Sequence, residues 1–509
     1  MKGIDIFSSE RIYAIAIIGD AMRCKRVSMT LAAGLLLGLL LVAAAQEPVD
    51  QRMVAAIKAE GLNKSEAQDL FYTLTDRLGQ RLTGSPAHME AARWAVERFK
   101  KWGLANPHME PFEFGRGWSL EKLTIEMIAP RYMPLIGYAE AWSPPTSGIL
   151  MGTPLYIGDS RAEEIDRLGS RLRGAIVLTH RPQTEFLLTD RMQPSEGNGP
   201  VRTGNPPFPE PTSTTPTQQM LERLQANATG VALKPGAMEH GTVRVQGNRT
   251  TPNGAVPSVV LAAEHYNMLV RMVQAGVQVQ LKIEVGARFY ENDRNSYNVL
   301  AEIPGIDPVL RDEVVLIGAH LDSWHTATGA TDNADGVTAV MEATRILKAV
   351  NARPRRTIRV VLWAGEEQGL LGARAYVDRN FRNAAARDKL SVYLNDDPGT
   401  GATYGFYMQG NEAAKRIFDA WLEPLRELGV RRNVIEGIGS TDHVPFDELG
   451  IPAFTVIKDF RNYDTRTRHT NADLADAVKR DDLKQSAIVF AVVTWQAAMR
   501  NERIPRTKQ

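Results

Sequence analysis

Two periodicities alternate along this chain and divide it into regions. Residues 64–82 (KSEAQDLFYTLTDRLGQRL) carry apolar side chains at helical spacing, and the run breaks at Leu82-Thr83-Gly84-Ser85-Pro86. A second helical run, 88–103 (HMEAARWAVERFKKWG), stops at Gly103, a natural C-terminal cap. From 149 to 288 the texture changes. Gly, Pro and Thr become dense, and short β-type runs recur at 149–151, 174–180, 241–247, 256–262 and 277–287. A proline-rich stretch at 190–217 reads as one long mobile loop inside this segment.

From 295 onward the rhythm is strand, then helix. Continuous apolar strands are expected at 313–320 (EVVLIGAH), 356–367 (RTIRVVLWAGEE), 390–397 (LSVYLNDD) and 451–458 (IPAFTVIK). Helices are expected at 335–350, 370–380 and 482–500. Strands that are apolar on both faces need cover on both faces, which predicts an α/β fold with a mainly parallel central sheet flanked by helices. The expected division is an N-terminal extension at 1–45, the first part of the catalytic domain at 46–148, a β-rich insert at 149–288 and the main catalytic domain at 289–509.

The N-terminus adds a different pattern. Leu31 to Ala45 (LAAGLLLGLLLVAAA) follows Arg23, Lys25 and Arg26 and ends in small residues. That is the order of a secretory signal, and the run is short for a bilayer span, which needs about 20 residues. The alternative is an uncleaved membrane anchor. Met22 or Met29 would be a more natural start than Met1 for such a signal. Cys24, the one cysteine, lies in this region. The processed protein would then have no disulfide, no thiolate metal site and no cysteine nucleophile, and no stable membrane span. An exported, periplasmic or secreted bacterial enzyme fits these features. The formal net charge of +1 leaves no basic field for nucleic acid, which is not expected as a partner.

Candidate chemistry collects where the apolar strands end. The first ends in His320-Leu321-Asp322, the second in Glu366-Glu367, and the third in Asp396-Asp397. Between them lies GATDNADG, with Asp332 and Asp335 leading into a helix. Reactive groups gather at the carboxyl ends of strands in such sheets. Crowded carboxylates repel in a low dielectric, and a cation relieves them. His, Asp and Glu without Cys suit zinc or a similar divalent ion. His320 is the candidate ligand of its strand, with Asp322 supporting its other side. Glu366 and Glu367 point to opposite sides of an extended backbone, so one can bind metal while the other faces substrate as a base. Neither a GxSxG elbow nor a phosphate-loop spacing is present.

Taken together, AHLDSW, GATDNADG, LWAGEEQGLLGA, NDDPG and RHTNAD resemble the di-zinc aminopeptidase superfamily, with the carboxypeptidase Q branch the nearest likeness. DRLGQRLTGSPAHMEAARW resembles that branch's N-terminal helix, and RLRGAIVLTHRP resembles its protease-associated insert. The resemblance implies a di-zinc exopeptidase fold binding two zinc ions. It implies His320, Asp332, Glu367, Asp397 and His469 as ligands, with Asp332 shared, and Glu366 as the general base. It further implies a cis bond between Asp332 and Asn333, short peptides with free termini as substrates, and a homodimer. Asn395, Asn333 and the added Asp396 depart from the branch's usual pattern. His443, in STDHVPF, lies in a motif placed near such sites and is not expected to bind metal. A single-zinc acyltransferase of the glutaminyl cyclase type and a non-catalytic, receptor-like relative are the alternatives, which a metal count separates.

Overall fold

The computed structural model describes residues 47–191, 218–252, 254–397 and 399–507. The expected signal at 31–45, Cys24 and nearly all of the loop at 190–217 lie outside the described residues. No helix among the described residues is long and apolar enough to cross a membrane.

A seven-stranded sheet carries the molecule. Its strands are β1 (Ala105–Glu113), β2 (Asn295–Ile303), β3 (Val314–His320), β4 (Thr357–Trp363), β5 (Leu390–Asn395), β6 (Thr400–Tyr407) and β7 (Ala453–Asp459). They lie in the order β1-β2-β4-β3-β5-β7-β6. The four middle strands, β4-β3-β5-β7, are parallel, whereas β1, β2 and β6 run antiparallel to their neighbours. The sheet is therefore mixed, and the expectation of a mainly parallel one is corrected. The reason lies in the connections. A parallel return needs a crossover of a dozen or more residues, usually helical. The link at 304–313 and the described residues of the four-residue link at 396–399 contain no helix, and the chain turns back antiparallel.

Five helices matter for the site: α1 (Gln51–Asn63), α2 (Pro86–Lys101), α3 (Asp335–Ala349), α4 (Leu371–Asn380) and α5 (Arg480–Met499). The Thr-Gly-Ser-Pro break works as expected: the Ser85 side chain caps α2 by accepting from the His88 N–H, and Pro86 occupies its first turn. α3 and α5 are buried along nearly their whole length, and the polar row of α3, Asp335, Thr338, Glu342 and Arg345, is covered as well, with Arg345 paired to Glu342 and Glu60. Gly61 on α1 lies against Ile346 of α3 and Ile488 of α5, where a side chain would not fit. α4 is held by Ala373, Tyr376 and Val377 against Leu316, Val361 and Trp363 of the sheet.

Two smaller sheets form a second body of structure. One is antiparallel and joins 133–134, 117–129, 280–290 and 150–152. The other joins 137–139, 258–261, 231–235, 176–178 and 155–156, and is parallel except at its first pair. They share one core, with Ile125, Ile283, Leu178, Val259 and Leu269 buried together. Strands 117–129 and 137–139 belong to these sheets although they precede residue 149. The run at 241–247 joins neither sheet. It makes isolated bridges instead, Arg244 with Thr470 and Gly247 with Ala141.

Candidate metal centre

His320 is the last residue of the central strand β3, and the other candidates converge on it. Its Nε2 lies 3.1 Å from Asp332 Oδ1 and 4.0 Å from Asp397 Oδ1. Its Nδ1 lies 3.0 Å from the Asp322 carbonyl. A Nδ1–H donating there leaves the Nε2 lone pair facing the two carboxylates, the tautomer a metal ligand needs. His469 Nε2 lies 3.1 Å from Asp332 Oδ2 and 3.0 Å from Glu367 Oε2. Two clusters with metal-binding geometry result, His320–Asp332–Asp397 and Asp332–Glu367–His469, and they share Asp332. All five proposed ligands thus meet at one place. The Asp332–Asn333 peptide is cis.

Asp322 does more than support His320. Its carboxylate stands 3.6 Å from His320 Nδ1. It accepts from Thr83 Oγ1 at 2.9 Å and from the backbone N–H groups of Glu366 and Glu367 at 3.3 and 3.4 Å. The turn after β4 is therefore hung on Asp322, with Gly365 in the left-handed region (φ 73°) and its N–H donating to Thr83 Oγ1. Arg81, fully buried in the same early motif, donates to the carbonyls of Leu321, Thr328 and Gly329 and so fixes the approach to Asp332.

The electrostatics favour a cation. Burial pushes the Glu366 carboxyl well above the usual carboxylate range; His320 opposes this, and Asp397 and Glu367 add to it. Burial likewise pushes Asp397 up to about 6. For Asp332 burial acts upward, but the adjacent His320 and His469 overcome it and hold the group well below its ordinary value. Despite the 3.1 Å approach of Asp332, His320 Nε2 has no aligned hydrogen-bond partner, and buried Glu367 Oε1 has none either. Buried polar atoms are normally satisfied. A hard or borderline divalent ion would satisfy both clusters, so the residues fit such an ion.

Several residues at the centre are not among the candidates read from the sequence. Asp442 is fully buried with neither carboxylate oxygen hydrogen-bonded, and burial pushes it well above the usual range. Buried Lys458 lies 2.6 Å from Asp396 and 3.0 Å from Asp335, so the added acid of NDDPG is matched by a lysine behind the site. Asp473 accepts from the N–H groups of Thr331 and Asp332 at 2.7 and 3.2 Å, bracing the shared ligand. The STDHVPF motif could have flagged Asp442; nothing local marks Lys458. His443 faces Gln409 and the Ile438 carbonyl, and burial pushes it down to about 4. It belongs to neither cluster, nor do His88, His108, His180, His240, His265 and His325.

A cleft of about 490 Å³ opens over the clusters, lined by Glu366, Glu367, Asp332, Asp397 and His469. Arg191, Arg374 and Arg468 stand in its wall, with Tyr463 and, from the second body, Gln246. Arg191 is buried and paired with Asp464 at 2.7 Å. Acids at the centre and guanidinium groups around it give a site able to hold cations and orient an anionic or polar ligand.

Comparison with known proteins follows this geometry. Residues 298–494 match the family described as Peptidase family M28. Carboxypeptidase Q from Homo sapiens is 26% identical over 451 residues, covering 88% of each chain. The crystal structure of a Peptidase M28 precursor from Shewanella amazonensis SB2B superposes with a TM-score of 0.66 at 24% identity, covering 90% of this chain and 99% of that one. A zinc aminopeptidase from Bacillus subtilis gives a TM-score of 0.58 at 18% identity, over 86% and 95% of the two chains. The likeness read from the sequence motifs is met by these matches, and the central sheet flanked by helices is the fold of the two solved structures.

Proposed function

We propose that this metallopeptidase, which matches Peptidase family M28 over residues 298–494, is a two-zinc exopeptidase acting on short peptides with free termini. The observation that carries the reading is the pair of clusters sharing Asp332. His320 and Asp397 would hold one ion, Glu367 and His469 the other, and Asp332 would bridge them. Bound there, the ions would supply Lewis acidity toward the scissile carbonyl and the attacking water.

Glu366 stands beside the clusters and belongs to neither, which leaves its carboxylate to move protons. It accepts one from the attacking water and returns it to the departing amine, so no covalent intermediate is required. Asp322 fixes the Glu366 and Glu367 amides and thereby sets where both side chains start. The guanidinium groups of Arg191, Arg374 and Arg468 favour a substrate carboxylate within the cleft. In the same reading, the second body is a protease-associated insert, the N-terminus directs export to the cell envelope, and the enzyme is a homodimer.

The test is Glu366→Gln. The variant should bind the same number of metal ions as wild type and lose about 10²- to 10⁴-fold in turnover of an unblocked dipeptide. Near-normal turnover in a metal-replete variant would remove Glu366 from the role. A parallel panel of dipeptide, N-blocked dipeptide and dipeptide amide, each with and without chelator, identifies which terminus is read. One bound ion per chain would favour the acyltransferase alternative, and none the receptor-like one.

A further inference from the structure

The two clusters are built on unequal supports. His320 ends β3, the strand that lies between β4 and β5 in the main sheet, and is itself in register with Trp363 of β4. Asp397 lies two residues beyond the end of β5. His469 lies on no strand of the sheet but in a turn two residues past the short helix Tyr463–Thr467, and it sits in the left-handed region (φ 60°), where a residue with a side chain is uncommon. Such a backbone persists only where its surroundings over-determine it.

Asp473 and Trp324 tie the loop to the main body, and a further set of contacts comes from the second body. The Val245 N–H donates to the His469 carbonyl at 3.1 Å. The Val243 N–H donates to Asn471 Oδ1 at 2.7 Å, the Asn471 N–H returns to the Val243 carbonyl at 3.2 Å, and Asn471 Nδ2 reaches the Gly241 carbonyl at 3.3 Å. Arg244 pairs with Thr470 in an antiparallel bridge, and its Nη2 lies 3.2 Å from His469 Nδ1. The segment has its own anchor. Val243 and Val245 are buried against Val260 and Ala262 of the five-stranded sheet and its following helix. The Ala141 N–H donates to the Gln246 carbonyl on its other side.

We infer that residues 241–247 are a positioning strand for the Asp332–Glu367–His469 cluster, so that the second body builds one of the two metal sites and leaves the other to the main sheet. The inference rests on the two-ion reading above. Its residues touch no substrate; they act through His469. Loosening the strand therefore weakens one ion selectively, a result that general destabilisation does not produce. Groups that orient a metal ligand typically contribute 10- to 100-fold in affinity.

Asn471→Ala tests this, because it removes the two side-chain hydrogen bonds to the strand at a half-buried position. Zinc stoichiometry and stepwise affinity are measured by equilibrium dialysis on the full chain, with near-ultraviolet circular dichroism reporting the fold. The expected result is one ion bound as in wild type and the second weakened about tenfold or more. Should Asn471→Ala fail to fold, Asn471→Ser, which keeps an acceptor for the Val243 amide, gives the same selective loss at smaller amplitude. Two ions bound with wild-type affinities, or equal weakening of both, overturns the inference. Wild-type protein binding fewer than two ions overturns the two-ion reading instead.

Discussion

Replacing Asp322 with asparagine changes one oxygen to an amide nitrogen and removes one charge at a fully buried position. Burial alone would raise the Asp322 carboxyl, but His320 and Thr83 overcome it and hold it below the ordinary value, so it is ionised at neutral pH. Its Oδ1 accepts from the Glu366 N–H, and its Oδ2 accepts from Thr83 Oγ1 and the Glu367 N–H. An asparagine offers one carbonyl oxygen. Whichever way its amide turns, at least one backbone N–H of the Glu366-Glu367 turn faces an NH₂ donor. A buried donor left unsatisfied costs about 1–3 kcal/mol, and loss of charge weakens the remaining bonds by about 1 kcal/mol. A total of about 2–4 kcal/mol corresponds to about 30- to 1,000-fold at 1.36 kcal/mol per decade. In the proposed mechanism the turn carries both the base, Glu366, and a ligand of the second cluster, Glu367. The loss should therefore appear in kcat/KM on a dipeptide at saturating zinc and in the affinity for one ion. The Asp332–Asp397–His320 cluster, whose His320 Nδ1 keeps its contact with the Asp322 carbonyl, should lose less affinity for its ion. The assay is steady-state kinetics beside zinc dialysis, with a urea melt on the same samples. A variant that folds, binds both ions and retains wild-type kcat/KM would refute the assignment of Asp322 to this turn.

Two further outcomes test the electrostatics. Burial, then Lys234, pushes His180 from 6.5 down to about 4, so the unfolded chain binds its proton first as pH falls. The stability tied to its neutral form is present above 6.5, is lost progressively from there to about 4, and amounts to about 2 kcal/mol between about pH 7.5 and pH 5. Urea melts should show His180→Gln losing about 2 kcal/mol less than wild type across that interval, and equal losses would contradict the buried neutral imidazole. Lys458→Met leaves Asp335 and Asp396 buried without their cation and should cost about 3 kcal/mol or more, with Asp396→Asn in the same chain recovering part of it; a single variant as stable as wild type would show that the lysine is not needed there.

The metal-site candidates were legible because local pattern encodes strand ends. A continuous apolar run must be buried, and the polar residue that closes it marks where the sheet edge meets solvent. That reasoning reached His320, Asp332, Glu366 and Glu367 from neighbouring residues, and it reached the Asp396-Asp397 pair without choosing between them, a choice left to the family resemblance. His469 follows no such run, and only its motif marked it. The same local logic placed α2, α3, α4 and α5 and the strands β3, β4, β5 and β7. β1 and β6 escaped it, because NPHMEPF and TGATYGFY show neither clean alternation nor an unbroken apolar run.

What the sequence determined by itself is the set of buried segments and the chemistry placed at their ends. Tertiary structure decided which segments adjoin. It set the mixed sheet, the hanging of the Glu366-Glu367 turn on Asp322, the pairing of Lys458 with Asp335 and Asp396, and the seating of residues 241–247 against the His469 loop. The physical reason is that burial of apolar area is non-directional, so hydrophobic pattern states that a residue is covered and not by what. Arg244 and His469 stand 225 positions apart, and only the folded chain brings them within 3.2 Å.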